Sequence, residues 1–141
     1  MKLRGQCHCG NLSLTFETGL APAELPLRAC QCSFCRAHWA LSTADPRGRV
    51  DVTAKDEGLV EHYRFGLGVT DFLLCRRCGV YLLAVSEIDG ARYAVINANA
   101  LACRAEMIAA HTPMDYEGET VEARLARRKS RWTPVGEMRG L

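Results

Sequence analysis

The sequence has no run of eighteen or more apolar residues, so no segment is long enough to cross a bilayer as a helix. Its first ten residues, MKLRGQCHCG, lack the apolar stretch of a secretory signal, and a cytoplasmic address is the expectation. Charge of one sign is missing too. Eighteen Lys and Arg stand against sixteen Asp and Glu, a formal net charge of +2. That balance argues against a general nucleic-acid binder and against a trap for acidic substrates. No internal repeat or low-complexity linker divides the 141 residues, so one domain over 1–141 is expected. Apolar residues make up 48%, enough to bury a core without cross-links.

Cysteine, by contrast, is plentiful. In a reducing compartment eight cysteines read as metal ligands or redox groups rather than as four disulfides. They form three clusters and a remainder. Cys7 and Cys9 make a C-x-C pair in QCHCG, Cys30, Cys32 and Cys35 a C-x-C-x-x-C triad, and Cys75 and Cys78 a C-x-x-C pair in LCRRCG. Cys103 stands alone in an apolar stretch and reads as a small buried hydrophobe. In the first and third clusters a glycine, Gly10 or Gly79, follows the last thiol. A zinc knuckle needs such a residue for a tight turn at positive φ that brings backbone N–H groups toward sulfur.

Hydrophobic alternation in NLSLTF, with Leu12, Leu14 and Phe16 on one face, predicts a half-buried strand. HWALST, EHYRF, VTDFLL, VYLLAV and RYAVIN carry similar signals. They are punctuated by ADPRGR, GLG and IDG, so the fold class is mainly β. Only TVEARLARRKSRW reads as a helix, with Thr120 as its cap and Pro134 forbidding continuation; ALACRAEMIAA is ambiguous and compatible with a helical turn. The basic run Arg124, Arg127, Arg128, Lys129 and Arg131 is balanced in part by Glu117, Glu119 and Glu122. It reads as the solvated face of an amphipathic helix rather than as a nucleic-acid site. Such a helix is free to pack on the β domain or on a second copy of the chain, anchored by Trp132.

Zinc takes four ligands in a tetrahedron, and two short pairs from distant turns can close a four-thiolate site. Joining the two knuckles would use Cys7, Cys9, Cys75 and Cys78 and leave the triad with three ligands. Spacing alone also allows a second closed site, with His38 or Cys103 as the fourth ligand of the triad. His8, between two knuckle cysteines, reads as an exposed residue.

The ordered set C-x-C-G, C-x-C-x-x-C-R and C-x-x-C-G resembles the glutathione-dependent formaldehyde-activating enzyme (GFA) family. The likeness runs over about residues 4–100, through RGQCHCGNLSLTF, ACQCSFCR and YRFGLGVTDFLLCRRCGVYL. It implies a zinc-containing β-tent, similar to that of B-type methionine sulfoxide reductases, with a C-terminal extension and helix over about 115–132. It also implies two Zn2+ per chain: a structural zinc on Cys7, Cys9, Cys75 and Cys78, and a catalytic zinc on Cys30, Cys32 and Cys35. The implied activity is that of a carbon–sulfur lyase or synthase, joining or splitting a thiol such as glutathione and a small aldehyde such as formaldehyde.

Three thiolates leave a zinc electron-rich, better suited to hold a substrate thiolate than to generate hydroxide. Arg28 and Arg36 flank the triad and could meet the carboxylates of glutathione. His38, His62 or water could protonate the alkoxide that forms. Phe34 and Trp39 read as core residues or as walls of the pocket. The competing reading is a non-catalytic zinc module that binds a partner protein, which a fourth protein ligand at the triad would favour. Methionine sulfoxide reduction needs an accessible thiol outside the metal sites, and Cys103 is a poor candidate for it. Homo-oligomerisation is compatible with all of these readings; nucleic-acid and membrane partners are not expected.

Overall fold

A computed structural model describes residues 1–141. The chain is mainly β, as expected, with eleven strands and two helices. The strands are β1 (Lys2–Gln6), β2 (Leu12–Glu17), β3 (Leu27–Cys30), β4 (Ser42–Thr43), β5 (Arg49–Ala54), β6 (Val60–Tyr63), β7 (Asp71–Cys75), β8 (Tyr81–Ile88), β9 (Ala91–Asn97), β10 (His111–Met114) and β11 (Thr133–Arg139). The helices are α1 (Ser33–Ala37) and α2 (Val121–Arg131).

β1, β2 and β5 form an antiparallel set, and β6 to β9 form a second by consecutive antiparallel pairing. β11 joins them. Its first residues pair with β9 antiparallel, Thr133 opposite Ala94, and the rest run parallel to β5, Val135 opposite Val50. Beyond β11 on the same side of β9 comes the short β4, then β3, which pairs in parallel with β10. The IDG signal makes the β8–β9 hairpin: Asp89 and Gly90 both adopt positive φ, +52° and +79°, the conformation a two-residue turn requires.

Alternation places the core. Leu12, Leu14 and Phe16 of β2 meet Val50 and Val52 of β5, Leu73 of β7 and Ala94 and Ile96 of β9 in the larger cluster. Phe72 of β7, Tyr81 and Ala84 of β8, Val95 of β9 and Trp132 form a smaller cluster that includes Cys35. This second cluster is the floor on which the triad rests.

α2 begins and ends where the sequence indicated. The Thr120 side chain accepts a hydrogen bond from the Ala123 N–H at 3.1 Å, and Trp132, only 7% exposed, follows the last turn. HWALST departs from expectation. Only Ser42–Thr43 is strand, because Trp39 turns the chain at φ +51°. ALACRAEMIAA holds one 3-10 turn, Arg104–Glu106, and a second, Ala98–Ala100, leads into it. No helix is long and apolar enough to cross a membrane.

Candidate metal centres

The two glycine-terminated knuckles have nearly the same backbone. The Cys7 N–H donates to the Leu12 carbonyl at 2.9 Å and the Gly10 N–H to the Cys7 carbonyl at 3.1 Å. In the other knuckle the Cys75 N–H donates to Val80 at 3.0 Å and the Gly79 N–H to Cys75 at 2.8 Å. Gly10 at φ +83° and Gly79 at +80° make both turns possible. The Leu12 N–H also donates to Cys7 Sγ at 3.2 Å, as the knuckle reading requires.

The turns bring four sulfurs together, all within 4.8 Å of one another. Cys9 Sγ lies 3.7 Å from Cys7 Sγ and 3.5 Å from Cys75 Sγ. A tetrahedron with Zn–S bonds of about 2.3 Å has edges of about 3.8 Å, so zinc fits the cluster. Burial pushes the Cys7 thiol up to about 11. Burial raises Cys78 as well, but the Val80 and Cys9 N–H groups and the thiols of Cys75 and Cys7 outweigh it and bring its pKa down to about 6.

The triad is built differently. β3 ends at Cys30, Cys32 caps α1, and Cys35 lies within that helix. The Cys35 N–H donates to Cys32 Sγ at 3.4 Å. The three sulfurs again lie within 4.8 Å of one another, and no other Cys, His, Asp or Glu joins them within that distance. A hydrogen bond from the Cys35 thiol lowers Cys30 to about 6 against the effect of burial; that same bond and burial drive Cys35 strongly upward. A thiolate is thus favoured at Cys30 near neutral pH.

Above the triad opens a cavity of about 840 Å3. Arg28 and Arg36 line it, together with Phe65, Phe72 and Trp132. Burial lowers the pKa of Arg28 from its ordinary value. The basic helix is a correction. Arg124, Arg127, Arg128 and Arg131 do not form a purely solvated face but wall this cavity. Their spacing was the available signal, since Arg124, Arg128 and Trp132 follow at i, i+4 and i+8 on one side of a helix. A cationic stripe ending in tryptophan reads as surface until the position of the triad is known.

The other named residues lie elsewhere. His38 tilts against Phe34, with centroids 4.5 Å apart, and lines a separate cavity of about 340 Å3 beside Cys78, away from the triad's cavity. His62 Nδ1 is 2.8 Å from Asp71 Oδ2, is 42% exposed and does not line the triad's cavity. Neither is among the residues that line the triad's cavity. Trp39 is neither core nor wall, for it is 87% exposed. Phe34 packs in an aromatic group with Tyr63, Phe65, Phe72 and Tyr81. Cys103 leans on the larger core, apart from the triad.

The family model described as glutathione-dependent formaldehyde-activating enzyme matches residues 2–116. The chain belongs to this family. It is a family of lyase-type enzymes, which points to glutathione and formaldehyde as its substrates at that level, and the two cysteine clusters of this chain are arranged so that they could hold metal ions. The GFA match covers all seven clustered cysteines and ends before α2, so the arginine wall of the cavity lies outside the shared segment. A crystal structure of a Rhodobacter sphaeroides protein is similar to this GFA chain. It has 27% identity and a TM-score of 0.56, over 70% of this chain and 87% of the other. No curated protein matches the chain.

Proposed function

We propose that the chain is a zinc-dependent carbon–sulfur lyase or synthase that joins a glutathione-like thiol to a small aldehyde, or splits their adduct. One observation carries this reading: three cysteine sulfurs converge, with no fourth protein ligand, at the floor of a cavity large enough for a peptide-sized thiol. Residues Cys7, Cys9, Cys75 and Cys78 would hold a structural zinc, and Cys30, Cys32 and Cys35 the reactive one. Zinc bound by the triad would supply an open position that favours the deprotonated, nucleophilic form of a substrate thiol.

The chain's own residues do the rest. Cys32 and Cys35 are fixed by the first turn of α1 and Cys30 by β3, so the ligand set is preorganised. Phe65, Phe72 and Trp132 give the cavity an apolar side that keeps water from the carbonyl carbon, while the arginines attract an anionic thiol. Tyr81, buried against the triad, keeps its phenol protonated because burial and the neighbouring cysteines raise its pKa.

The test is exchange NMR on protein with its zinc retained, following the interconversion of glutathione plus formaldehyde with S-hydroxymethylglutathione. Acceleration by wild type and its loss in Cys32→Ser are expected. Fully metallated wild type that leaves the exchange at its uncatalysed rate would refute the reaction. In the competing reading, a non-catalytic module, the triad would be completed by a protein ligand, and neither His38 nor Cys103 is placed to do so.

A further inference from the structure

Arg128 is the most confined cation in the molecule. It is 7% exposed, yet it makes no hydrogen bond to a carboxylate. Its Nη1 donates to Thr70 Oγ1 and, at 2.8 Å, to Ser86 Oγ; the Ser86 hydroxyl in turn donates to the Val69 carbonyl at 2.8 Å. Trp132 stacks on the guanidinium, with the ring centre 4.4 Å from Cζ. Glu119, the nearby carboxylate, is already occupied: Arg127 holds it through two bonds of 2.9 Å and Arg124 through one of 3.4 Å.

One edge of the guanidinium remains. Nε is buried with no partner, and Nη2 makes no hydrogen bond within the chain. Nε–H and the adjacent Nη2–H together form the side-on fork that matches the two oxygens of a carboxylate. A buried charge with an unmade fork is destabilising unless something completes it. Three thiolates around one dication would carry a net negative charge, yet Arg128 makes no hydrogen bond to any of the three sulfurs. Burial lowers the pKa of Arg128 to about 10, so the group stays charged at neutral pH.

The geometry points to Arg128, in the wall of the triad's cavity, as a specificity residue whose unpaired Nη2 binds a carboxylate of the substrate, with Nε, covered in the free protein, uncovered to complete the fork. This rests on the reading of the cavity as a substrate site, and it deepens that reading with a residue outside the segment matched by the family model. The carboxylate belongs either to the thiol or to the carbonyl partner. The first case makes Arg128 a clamp that orients the thiol over the triad; the second makes the preferred aldehyde an oxo acid.

Binding without turnover separates this inference from the proposed reaction. On zinc-loaded protein, calorimetry would compare S-methylglutathione with its bis-carboxamide, and glyoxylate with its amide, in wild type, Arg128→Lys and Arg128→Met. S-methylation removes the thiol, so the metal contributes little. Amidation is expected to weaken one of the two ligands about 10- to 100-fold in wild type, the range for a charge-assisted pair, and by less than about threefold in Arg128→Met. Arg128→Lys, with the charge but not the fork, should fall between. Loss on the glutathione ligand assigns the thiol as source, and loss on glyoxylate assigns the carbonyl partner.

The Arg128 Nε–H resonance gives a readout that needs no variant. It should move downfield on titration with the carboxylate ligand and stay in place with the amide. Equal weakening by amidation in wild type and Arg128→Met, or a resonance unmoved by either carboxylate, overturns the inference.

Discussion

Cys9 Sγ and Cys75 Sγ lie 3.5 Å apart although 66 positions separate them in the chain. The contact fastens the turn after β1 to the turn after β7, and a metal shared by the two knuckles would close that long loop. Binding of a structural metal is folding free energy, since the unfolded chain holds no preformed site.

Cys75→Ser should therefore lose one metal per chain and lower Tm by about 10 °C or more, whereas Cys32→Ser should lose the other metal and keep a cooperative fold. Elemental analysis and thermal unfolding of the two variants decide it. If Cys32→Ser unfolds as badly as Cys75→Ser, the division into structural and reactive sites is wrong.

Gly79 allows a clean test of the knuckle. A Cβ there would meet no atom within 4 Å, so the strain of Gly79→Ala comes only from φ +80°. Left-handed backbone at a residue with a Cβ costs about 1–2 kcal/mol, and chemical denaturation should show a loss of that size. Cysteine geometry need not change, so metal content should remain at the wild-type value.

Much of this organisation was legible in the sequence and some was not. The knuckles were readable because Cys-Gly fixes a local backbone, and α2 because Thr120 and Pro134 mark its ends. β5 alternates Val50, Val52 and Ala54 with polar residues as cleanly as β2 does, whereas β11 carries a weaker pattern. β11 contains Pro134 and Gly136 and gains its strand character from pairing with both β9 and β5. α1 is five residues long, too short for a hydrophobic period to register, and is set by the Cys32 cap. The arginine wall could not be read because it depends on α2 folding back beside β8 and above the triad, a tertiary fact. His38 is the converse case: close to the triad in sequence, it faces another cavity.

Glu119 predicts a pH dependence. Hydrogen bonds from Arg127 hold its carboxyl below the ordinary range, burial acts in the opposite direction, and Arg124 adds to the lowering. A lowered folded-state pKa means the stabilisation is full above the unfolded carboxylate value, about 4.3, and fades as pH falls through the folded value. The side chains are about one-fifth exposed, so the contribution is about 1 kcal/mol at pH 7. The stability difference between wild type and Glu119→Gln, measured by urea unfolding, should shrink toward zero below pH 4. A difference constant from pH 7 to pH 3 contradicts the pairing.

Arg127 also lies over the Tyr116 ring, 3.5 Å from its centre, so Arg127→Met should loosen the segment before α2 as well as release Glu119. Hydrogen exchange over residues 115–120 should rise several-fold in this variant, with the core strands unchanged. Unaltered protection there would show that the wall is held by backbone contacts alone.

The central claim is that the triad leaves one ligand position for a substrate sulfur. Zinc K-edge absorption on the fully metallated protein, with and without glutathione, tests it most directly. The account predicts an average sulfur count midway between three and four per zinc that rises to four when glutathione is added. A count of four before any thiol is added, unchanged afterwards, would mean that the chain closes both sites itself and would contradict the account.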